Sequence, residues 1–460
     1  MGRFVLFVVI GMVIFWLVQL LGVPFHEDEA IYAAWSLRIL RGDPWLWVTP
    51  VDKPPLTFYP MAASIGLFGR HEWAARLPNV LWTGLLLATL WRIAKHKQAS
   101  GEFTLTLALF SPLLWAQAAS AFTDAAMVAL AFLAVERAIS GRATQAGVAF
   151  GLAFLAKPTA LLLAPLVVTT LHFVRGHALV VPRAPRTTKV VTTGGTFSDF
   201  LMACAAPLLL AWAWDASRVA PSWWALGAQA YGTLGQMGLG HIEGWGRLAL
   251  FSLGPLFLVG IITRSNDFSR SIGTRSNDFS RSIATRSNDF SRSALGVTWL
   301  LWIPAHMVLG FQAWERYLLP LVPIMALFFA LKEAKLDRKG KLIHYWCFIL
   351  LVPLLIQPFE LEPHDGRWQG IAEMGRAIEK LPREAVVYYF DAGRPLAWYA
   401  ADAQATLLWV QLDQDDEPIS WDKDQPSYIV LRTTDFWPAT FANWYTVKQS
   451  GHFHLLKMRE

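Results

Sequence analysis

Long apolar stretches separated by short charged segments constrain this sequence more than any other feature. Lipid offers backbone N–H and C=O groups no hydrogen-bond partners, so a stretch of about 20 apolar residues has to cross it as a helix. Candidate stretches lie at 4–24, 76–94, 102–121, 123–139, 143–157, 159–174, 198–214, 247–262, 294–310, 318–331 and 342–358. Hydrophobic residues make up 54% of the chain and charged residues 16%, whereas soluble domains are about a quarter charged. We therefore predict a polytopic α-helical membrane protein with about 11 spans, and with 13 as an upper limit.

Basic residues predict how these spans are oriented, because Lys and Arg collect in cytoplasmic loops. Val5–Val23 follows Arg3 and lacks a small-residue cleavage site, which indicates a retained first span rather than a removed signal peptide. If the N-terminus is cytoplasmic, the cytoplasmic segments after spans two, four, six and ten carry Arg92, Lys95, Lys97, Arg137, Arg142, Arg175, Arg183, Arg186, Lys189, Lys332, Lys335, Arg338, Lys339 and Lys341. This pattern predicts a multi-pass protein of the inner (plasma) membrane.

The last hundred residues differ in composition from the membrane module of residues 1–358. Residues 360–460 contain 16 Asp or Glu and 10 Lys or Arg, a net charge of −6. An odd number of crossings places this acidic segment outside the cytoplasm. Helical spacing of apolar residues runs from Ile371 to Leu381, and β-rich segments follow at Ala385–Phe390, Tyr428–Leu431 and Tyr445–Lys448. We predict a small extracytoplasmic α/β domain.

A tandem repeat interrupts the membrane module. The segment TRSNDFSRSIG (Thr263–Gly273) recurs twice more with small changes, and the predicted insertion covers residues 263–293. An 11-residue period can specify a right-handed coiled coil, but each copy offers few apolar residues. A solvated cytoplasmic insertion without a catalytic role is the better interpretation.

The first external loop, residues 25–75, holds the most informative polar residues. Glu27, Asp28 and Glu29 directly follow the first span, which places three carboxylates at the membrane surface. Such a cluster can supply a general base or neutralise a cation, and with His26 it could bind a hard divalent metal. The structural alternative is an acidic cap on a predicted helix over 30–40, because Asp and Glu are favoured at helix starts.

Further ionisable residues lie at the external ends of predicted spans. Lys53 precedes two prolines that fix its backbone, so it can be held beside a lipid phosphate or can be an ordinary interfacial lysine. Asp124 is a functional candidate because an ionisable residue at membrane depth is costly. Lys157 and Arg316 are interface anchors or members of the same site. Together these residues occupy one side of the membrane in the predicted topology.

The same residues carry a family resemblance. In order, the motifs are D-E-x-x-Y at Asp28–Tyr32, D-K-P-P-L at Asp52–Leu56, F-T-D-A at Phe122–Ala125, L-A-K-P at Leu155–Pro158 and R-Y-L-L-P at Arg316–Pro320. Over residues 25–330 the chain resembles the bacterial branch of the protein O-mannosyltransferase and aminoarabinose transferase group, which has the GT-C fold.

That resemblance implies an inverting glycosyltransferase that uses a polyprenyl-phosphate-sugar donor. It implies that Asp28 activates an acceptor hydroxyl with Asp124 close by, and Glu29 is the third catalytic candidate. Lys53 would hold the departing phosphate. Arg316 would be the second cation with Arg247 in reserve, and Lys157 is a further candidate. The acceptor can be a protein, a lipid or a glycan, and no cofactor is implied, although a divalent metal stays open.

Other function classes fit the sequence less well. A transporter shares the hydropathy, but inverted sequence repeats are absent and several predicted spans have no charge deep within them. An envelope-polymer assembly protein would not need the ordered motifs. The basic loops that orientation already explains account for the pI of about 9.3, so nucleic acid is not an expected partner. Cys204 and Cys347 both lie in apolar runs, which argues against a disulfide framework.

Overall fold

The structure, a computed structural model, divides into two compact units. It describes residues 2–178, 196–219, 295, 297–298, 301–302, 315–333, 366–389, 392–409, 427–432 and 444–458. The helical unit comprises residues 1–18, 47–57 and 77–359, and the mixed unit comprises residues 19–46, 58–76 and 360–460. Predictions that lie outside the described residues concern Arg247, the repeats at 263–293, the spans at 247–262 and 342–358, and most of the span at 294–310.

Thirteen α-helices are described. They are α1 (Gly2–Leu21), α2 (Glu27–Leu40), α3 (Tyr59–Phe68), α4 (Glu72–His96), α5 (Gly101–Leu109), α6 (Pro112–Ala118), α7 (Asp124–Ile139), α8 (Ala143–Ala156), α9 (Ala164–Ala178), α10 (Phe197–Ala216), α11 (Leu321–Glu333), α12 (Ile371–Ile378) and α13 (Gly393–Tyr399). Short 3-10 helices cover Pro55–Thr57, Pro158–Leu163 and Glu315–Leu318. Within the described part of the chain, α4 and α10 are long and apolar enough to cross a membrane.

Two predicted spans differ from the structure in continuity. The predicted span at 102–121 is two helices, α5 and α6, because Ser111 is extended (φ −80°, ψ 114°) and Pro112 begins α6. Proline lacks a backbone N–H and disfavours helical backbone in the residue before it. The predicted span at 159–174 begins as the 3-10 helix Pro158–Leu163 and becomes α-helical only at Ala164.

The centre of the helical unit is α7. Its side chains are buried along almost the whole helix, in a core shared with α4, α5, α8 and α11. The predicted spans 123–139 and 143–157 form α7 and α8, joined through Gly141, whose φ of +72° suits a residue without a Cβ atom. This short connection allows α7 and α8 to pack as neighbours.

Small residues let α8 approach α10 closely. A Cβ atom on Gly147 would collide with the Phe200 carbonyl oxygen, and one on Gly151 would lie 2.6 Å from the Cys204 carbonyl oxygen. Glycines four residues apart share one helix face, and this spacing is common where membrane helices pack backbone to backbone. Large apolar side chains elsewhere on α10, such as Leu209, Leu210 and Trp212, are exposed, as expected for contact with lipid.

The mixed unit combines α2, α3, α12 and α13 with a five-stranded sheet. Its strands are β1 (Val386–Tyr389), β2 (Thr406–Trp409), β3 (Ser427–Arg432), β4 (Trp444–Ser450) and β5 (Phe453–Met458). The strand order is β2-β1-β3-β5-β4, with β1 parallel to β2 and β3, and β5 antiparallel to β3 and β4. The predicted helix at 371–381 and three predicted strands lie at α12, β1, β3 and β4.

The C-terminal tail (residues 360–460) belongs to the same unit as part of the first external loop. Residues 19–46 and 58–76 belong to the same compact unit as residues 360–460, so the structure divides the chain differently from the predicted boundary near residue 359. The physical reason is a set of contacts between α13 and the segment around α2, made by residues more than 300 positions apart. Hydropathy along the sequence carries no information about such pairing.

The glycine contact gives a stability prediction. We expect Gly147→Ala to destabilise the fold by about 1–3 kcal/mol, because the added methyl group forces the α8 and α10 backbones apart. Gly84→Ala is the matched control, since Gly84 lies inside α4 and a Cβ atom there meets nothing within 4 Å. Thermal unfolding in detergent measures both variants. Equal melting temperatures would contradict the close packing of α8 on α10.

Candidate active site

In the helical unit, a buried ion pair joins the start of α7 to the end of α8. Asp124 is the first residue of α7 and is 1% exposed. Both of its carboxylate oxygens contact the Lys157 ammonium, at 2.8 and 2.9 Å. Lys157 immediately precedes Pro158, which favours the extended backbone observed at Lys157 (φ −159°, ψ 127°) and ends α8 at this point. The L-A-K-P motif therefore places its lysine opposite the aspartate of F-T-D-A.

The R-Y-L-L-P motif lies beside this pair. The guanidinium of Arg316 is buried and lies 4.6 Å from the centre of the Phe122 ring. Phe122 is two residues before Asp124 in sequence. The Tyr317 ring lies 4.2 Å from the Lys157 ammonium. Aromatic faces attract cations, so these rings stabilise two positive charges near the N-terminal end of α7.

Lys53 belongs to the same unit. Its ammonium is 2.7 Å from the neighbouring Asp52 carboxylate, and its side chain is 23% exposed. The positive charges of Arg316 and Lys53 both act on the Lys157 ammonium. Lys53, Lys157 and Arg316 thus share one region with Asp124 and Asp52, and their formal charges leave a net of +1. A region with a net positive charge attracts an anion such as a phosphate.

A buried clamp positions the segment that carries Lys53. The Arg218 guanidinium donates to the Thr49 carbonyl oxygen at 2.7 Å and pairs with Asp215 at 2.8 Å. The side chains of Arg218 and Asp215 are 0% and 2% exposed. A buried cation with fixed partners holds the backbone it binds, so the end of α10 fixes the loop four residues before Lys53. The predictions did not include Asp215 or Arg218, because their significance depends on a contact distant in sequence.

In the mixed unit, Glu29 is fully buried in a two-pronged salt bridge. Arg76 Nε donates to Glu29 Oε1 at 2.9 Å, and Arg76 Nη2 donates to Oε2 at 2.7 Å. Both side chains are 0% exposed. Arg76 Nη1 also donates to the carbonyl oxygens of Leu20, Leu21 and Val23, at 3.1, 3.2 and 2.7 Å. One guanidinium thereby neutralises Glu29 and satisfies carbonyl groups at the end of α1.

The three carboxylates predicted to cap a helix over 30–40 lie inside the first turn of α2, which begins three residues earlier than predicted. The helix begins at Glu27, and its N-cap is His26, whose Nδ1 accepts from the Asp28 N–H at 3.2 Å. Glu29 Oε2 accepts from the His26 N–H at 3.0 Å, which completes a capping box. Asp28 instead directs its carboxylate to the tail, where Arg394 Nη1 lies 2.8 Å from Oδ1.

The structure therefore sorts the predicted site residues into two groups. Asp124, Lys157, Arg316 and Lys53 lie in the helical unit, whereas Asp28 and Glu29 lie in the mixed unit. Arg247 lies outside the described residues. Within the described residues, no group of three His, Cys, Asp or Glu side chains could hold a metal ion.

The chain is similar to a known protein family and to a solved structure. Residues 52–192, which include Lys53, Asp124 and Lys157, match the model of a family described as dolichyl-phosphate-mannose-protein mannosyltransferase. A crystal structure of ArnT from Cupriavidus metallidurans bound to undecaprenyl phosphate has a TM-score of 0.64 and 16% identity, covering 99% of this chain and 98% of that chain. The predicted GT-C resemblance is confirmed. The chain has the fold of a polytopic GT-C membrane protein.

The chain is also similar to a ligand-free structure of that protein. The crystal structure of the same ArnT in the apo state has a TM-score of 0.42 at 16% identity, with the same coverage of both chains. No curated protein sequence matches this chain.

The salt bridge of Glu29 gives a second stability prediction. Glu29→Ala leaves the Arg76 charge buried without its carboxylate, which is expected to cost about 3–5 kcal/mol. Glu27→Ala is the matched control, because Glu27 lies in the same first turn and is less buried. Melting temperatures in detergent should separate the two variants clearly. A Glu29→Ala protein as stable as the control would contradict an anchoring role for the Glu29–Arg76 pair.

Proposed function

We propose that the protein is an inverting glycosyltransferase that moves a sugar from a polyprenyl-phosphate carrier to an acceptor hydroxyl on the extracytoplasmic face. The observation that carries the proposal is the buried pair of Asp124 and Lys157 with Arg316 beside it, in the compact unit that also holds Lys53. Each of these cations comes from a different motif of the resemblance. The likeness over almost the whole chain to a protein crystallised with undecaprenyl phosphate supports the same donor class.

In the proposed reaction, Asp28 is the general base. Its carboxylate accepts the proton of the acceptor hydroxyl as the hydroxyl oxygen bonds to the anomeric carbon of the sugar. The bond from that carbon to the phosphate oxygen breaks, and its electron pair leaves with the polyprenyl phosphate. Attack opposite to the leaving group inverts the anomeric configuration. The acceptor is a hydroxyl of a protein, a lipid or a glycan.

Charge that develops on the leaving phosphate is stabilised by fixed cations. Lys53 and Arg316 are proposed to contact the phosphate, and Arg247 is a further candidate. Asp124 holds Lys157 in place, because a buried ammonium without a counter-ion would be strongly disfavoured. In this proposal cationic side chains carry the electrostatic stabilisation, and no step is assigned to a metal ion or other cofactor.

Glu29 has a positioning role in this scheme. Both oxygens of its carboxylate accept from Arg76, so Glu29 fixes the start of α2 and with it the backbone of Asp28. The proposed orientation keeps α13 and the sheet outside the cytoplasm, where the lipid carrier presents its sugar. Proton transfer is thereby assigned to Asp28, and anchoring to its neighbour.

Substitution of the base tests the proposed reaction. Asp28→Asn should lower sugar transfer from a radiolabelled polyprenyl-phosphate-sugar by about 10²–10⁴-fold, because the amide cannot accept the proton. Glu27→Gln removes a neighbouring carboxylate as the matched control and should retain transfer. Both variants should insert and melt like the parent protein. Full transfer by Asp28→Asn would exclude Asp28 as the base, and loss of solute transport instead would favour a transporter.

The phosphate site makes a separate prediction. Lys53→Ala should raise the KM for the lipid donor by about 10- to 100-fold, because one charge-assisted hydrogen bond contributes about 1.5–3 kcal/mol. Lys95→Ala is the control, as Lys95 lies in the last turn of α4 against the Trp91 ring. Steady-state kinetics with varied donor concentration measure both. Equal KM values for the two variants would remove Lys53 from the phosphate site.

A further inference from the structure

Arg394 reaches the candidate base from the tail. It is the second residue of α13, and its Nη1 lies 2.8 Å from Asp28 Oδ1. The Arg394 side chain is 48% exposed, whereas that of Asp28 is 18% exposed. A guanidinium that can be approached from solvent therefore meets a carboxylate that is largely shielded.

Aromatic contacts and a hydrogen bond hold the far end of α13 in place. The Phe25 and Trp398 rings meet edge to face with centroids 5.2 Å apart. The Phe25 N–H donates to the Tyr399 hydroxyl oxygen at 2.8 Å. Burial raises the pKa of Tyr399, and the neighbouring Glu72 carboxylate adds to this effect, so the hydroxyl stays protonated. Phe25 lies three residues before Asp28, so the same short segment binds both ends of α13.

A charged clamp fixes the residues that follow α13. The two carboxylate oxygens of Asp402 bind different arginines, Arg41 at 2.5 Å and Arg70 at 2.6 Å. Arg70 also donates to the Trp398 carbonyl oxygen and lies over the Trp398 ring at 5.3 Å. Arg41 ends α2, and Arg70 lies between α3 and α4. The tail is thus attached at several points to the elements that carry Asp28.

The charges around Asp28 favour a functional role for Arg394. On α2 itself, the carboxylate has Glu27 and Glu29 as acidic neighbours and His26 at the cap, while Arg76 neutralises Glu29. Arg394 brings a positive charge from α13 to this acidic turn. An ion pair with one partner half exposed contributes little to the stability of the fold. Substitution of Arg394 should therefore change the melting temperature little.

We propose that Arg394 is a positioning residue that orients the Asp28 carboxylate and keeps it charged for proton abstraction. The inference rests on the proposed function, since it presumes that Asp28 is the base. It gives the tail a part in catalysis, because Arg394 of α13 binds the carboxylate of Asp28 on α2. A cation beside the base lets it stay deprotonated at lower pH.

The test compares Arg394→Ala with Arg394→Lys in the full-length protein. Arg376→Ala is the matched control, because Arg376 lies in the same unit and forms a 2.8 Å ion pair with Glu373 on an exposed face of α12. For each variant, kcat and KM for the polyprenyl-phosphate-sugar donor are measured across pH, together with the melting temperature in detergent.

We expect Arg394→Ala to lower kcat several-fold on the plateau and to move the acid limb of the kcat profile up by about one pH unit. At a fixed pH on that limb, the loss is about tenfold greater than on the plateau. Arg394→Lys should return the acid limb of the kcat profile most of the way to its position in the parent protein, since lysine restores the positive charge. KM for the donor, melting temperature and the Arg376→Ala profile should stay close to those of the parent.

Two results would overturn the inference. One is a profile for Arg394→Ala that overlays the Arg376→Ala control, and the other is a loss of activity that follows melting temperature without movement of the acid limb. The Asp28→Asn variant separates this failure from failure of the proposed function. If Asp28→Asn is inactive while Arg394→Ala behaves as the control, only the role of Arg394 fails. If Asp28→Asn is active, the base assignment itself fails.

Discussion

The salt bridge between Glu29 and Arg76 is the interaction on which the arrangement of the mixed unit depends. Neither side chain is exposed, so the two charges have to neutralise each other. Arg76 also satisfies backbone carbonyl groups at the end of α1, while Glu29 closes the cap of α2. One ion pair therefore determines where the first helix ends and the next begins. The direction of Asp28 follows from that junction.

In the helical unit, buried cations have to be stabilised in the absence of water. This unit keeps Lys157 and Arg316 buried or nearly so, with Asp124 as a counter-ion and aromatic rings beneath the charges. Side chains that are already fixed in this way need little reorganisation when a charged ligand arrives or when charge develops on it. The contact of Arg218 with the Thr49 carbonyl oxygen likewise fixes the loop before Lys53 in advance. It fixes the backbone of that loop and not the Lys53 ammonium itself.

Local signals predicted much of this architecture. Apolar stretches located α1, α4, α7, α8 and α10, and the spacing of apolar residues in the tail located α12 and three of its strands. The ordered motifs brought forward Asp124, Lys157 and Arg316, which the structure places together. Local signals missed Arg76, Arg218 and Arg394, because each matters only through a partner far away in sequence. They also overestimated the continuity of the span at 102–121, where Pro112 outweighs hydropathy.

The order of strands in the tail has a consequence for biogenesis. Strand β5 follows every other described element in sequence, yet it occupies an interior position and joins β3 to β4. Until residues 453–458 have been synthesised, β3 presents an open edge with its backbone groups unsatisfied, and such edges recruit other chains. Fusions or truncations that delay or remove this segment are therefore expected to promote aggregation, although the segment contributes no residue to the candidate site.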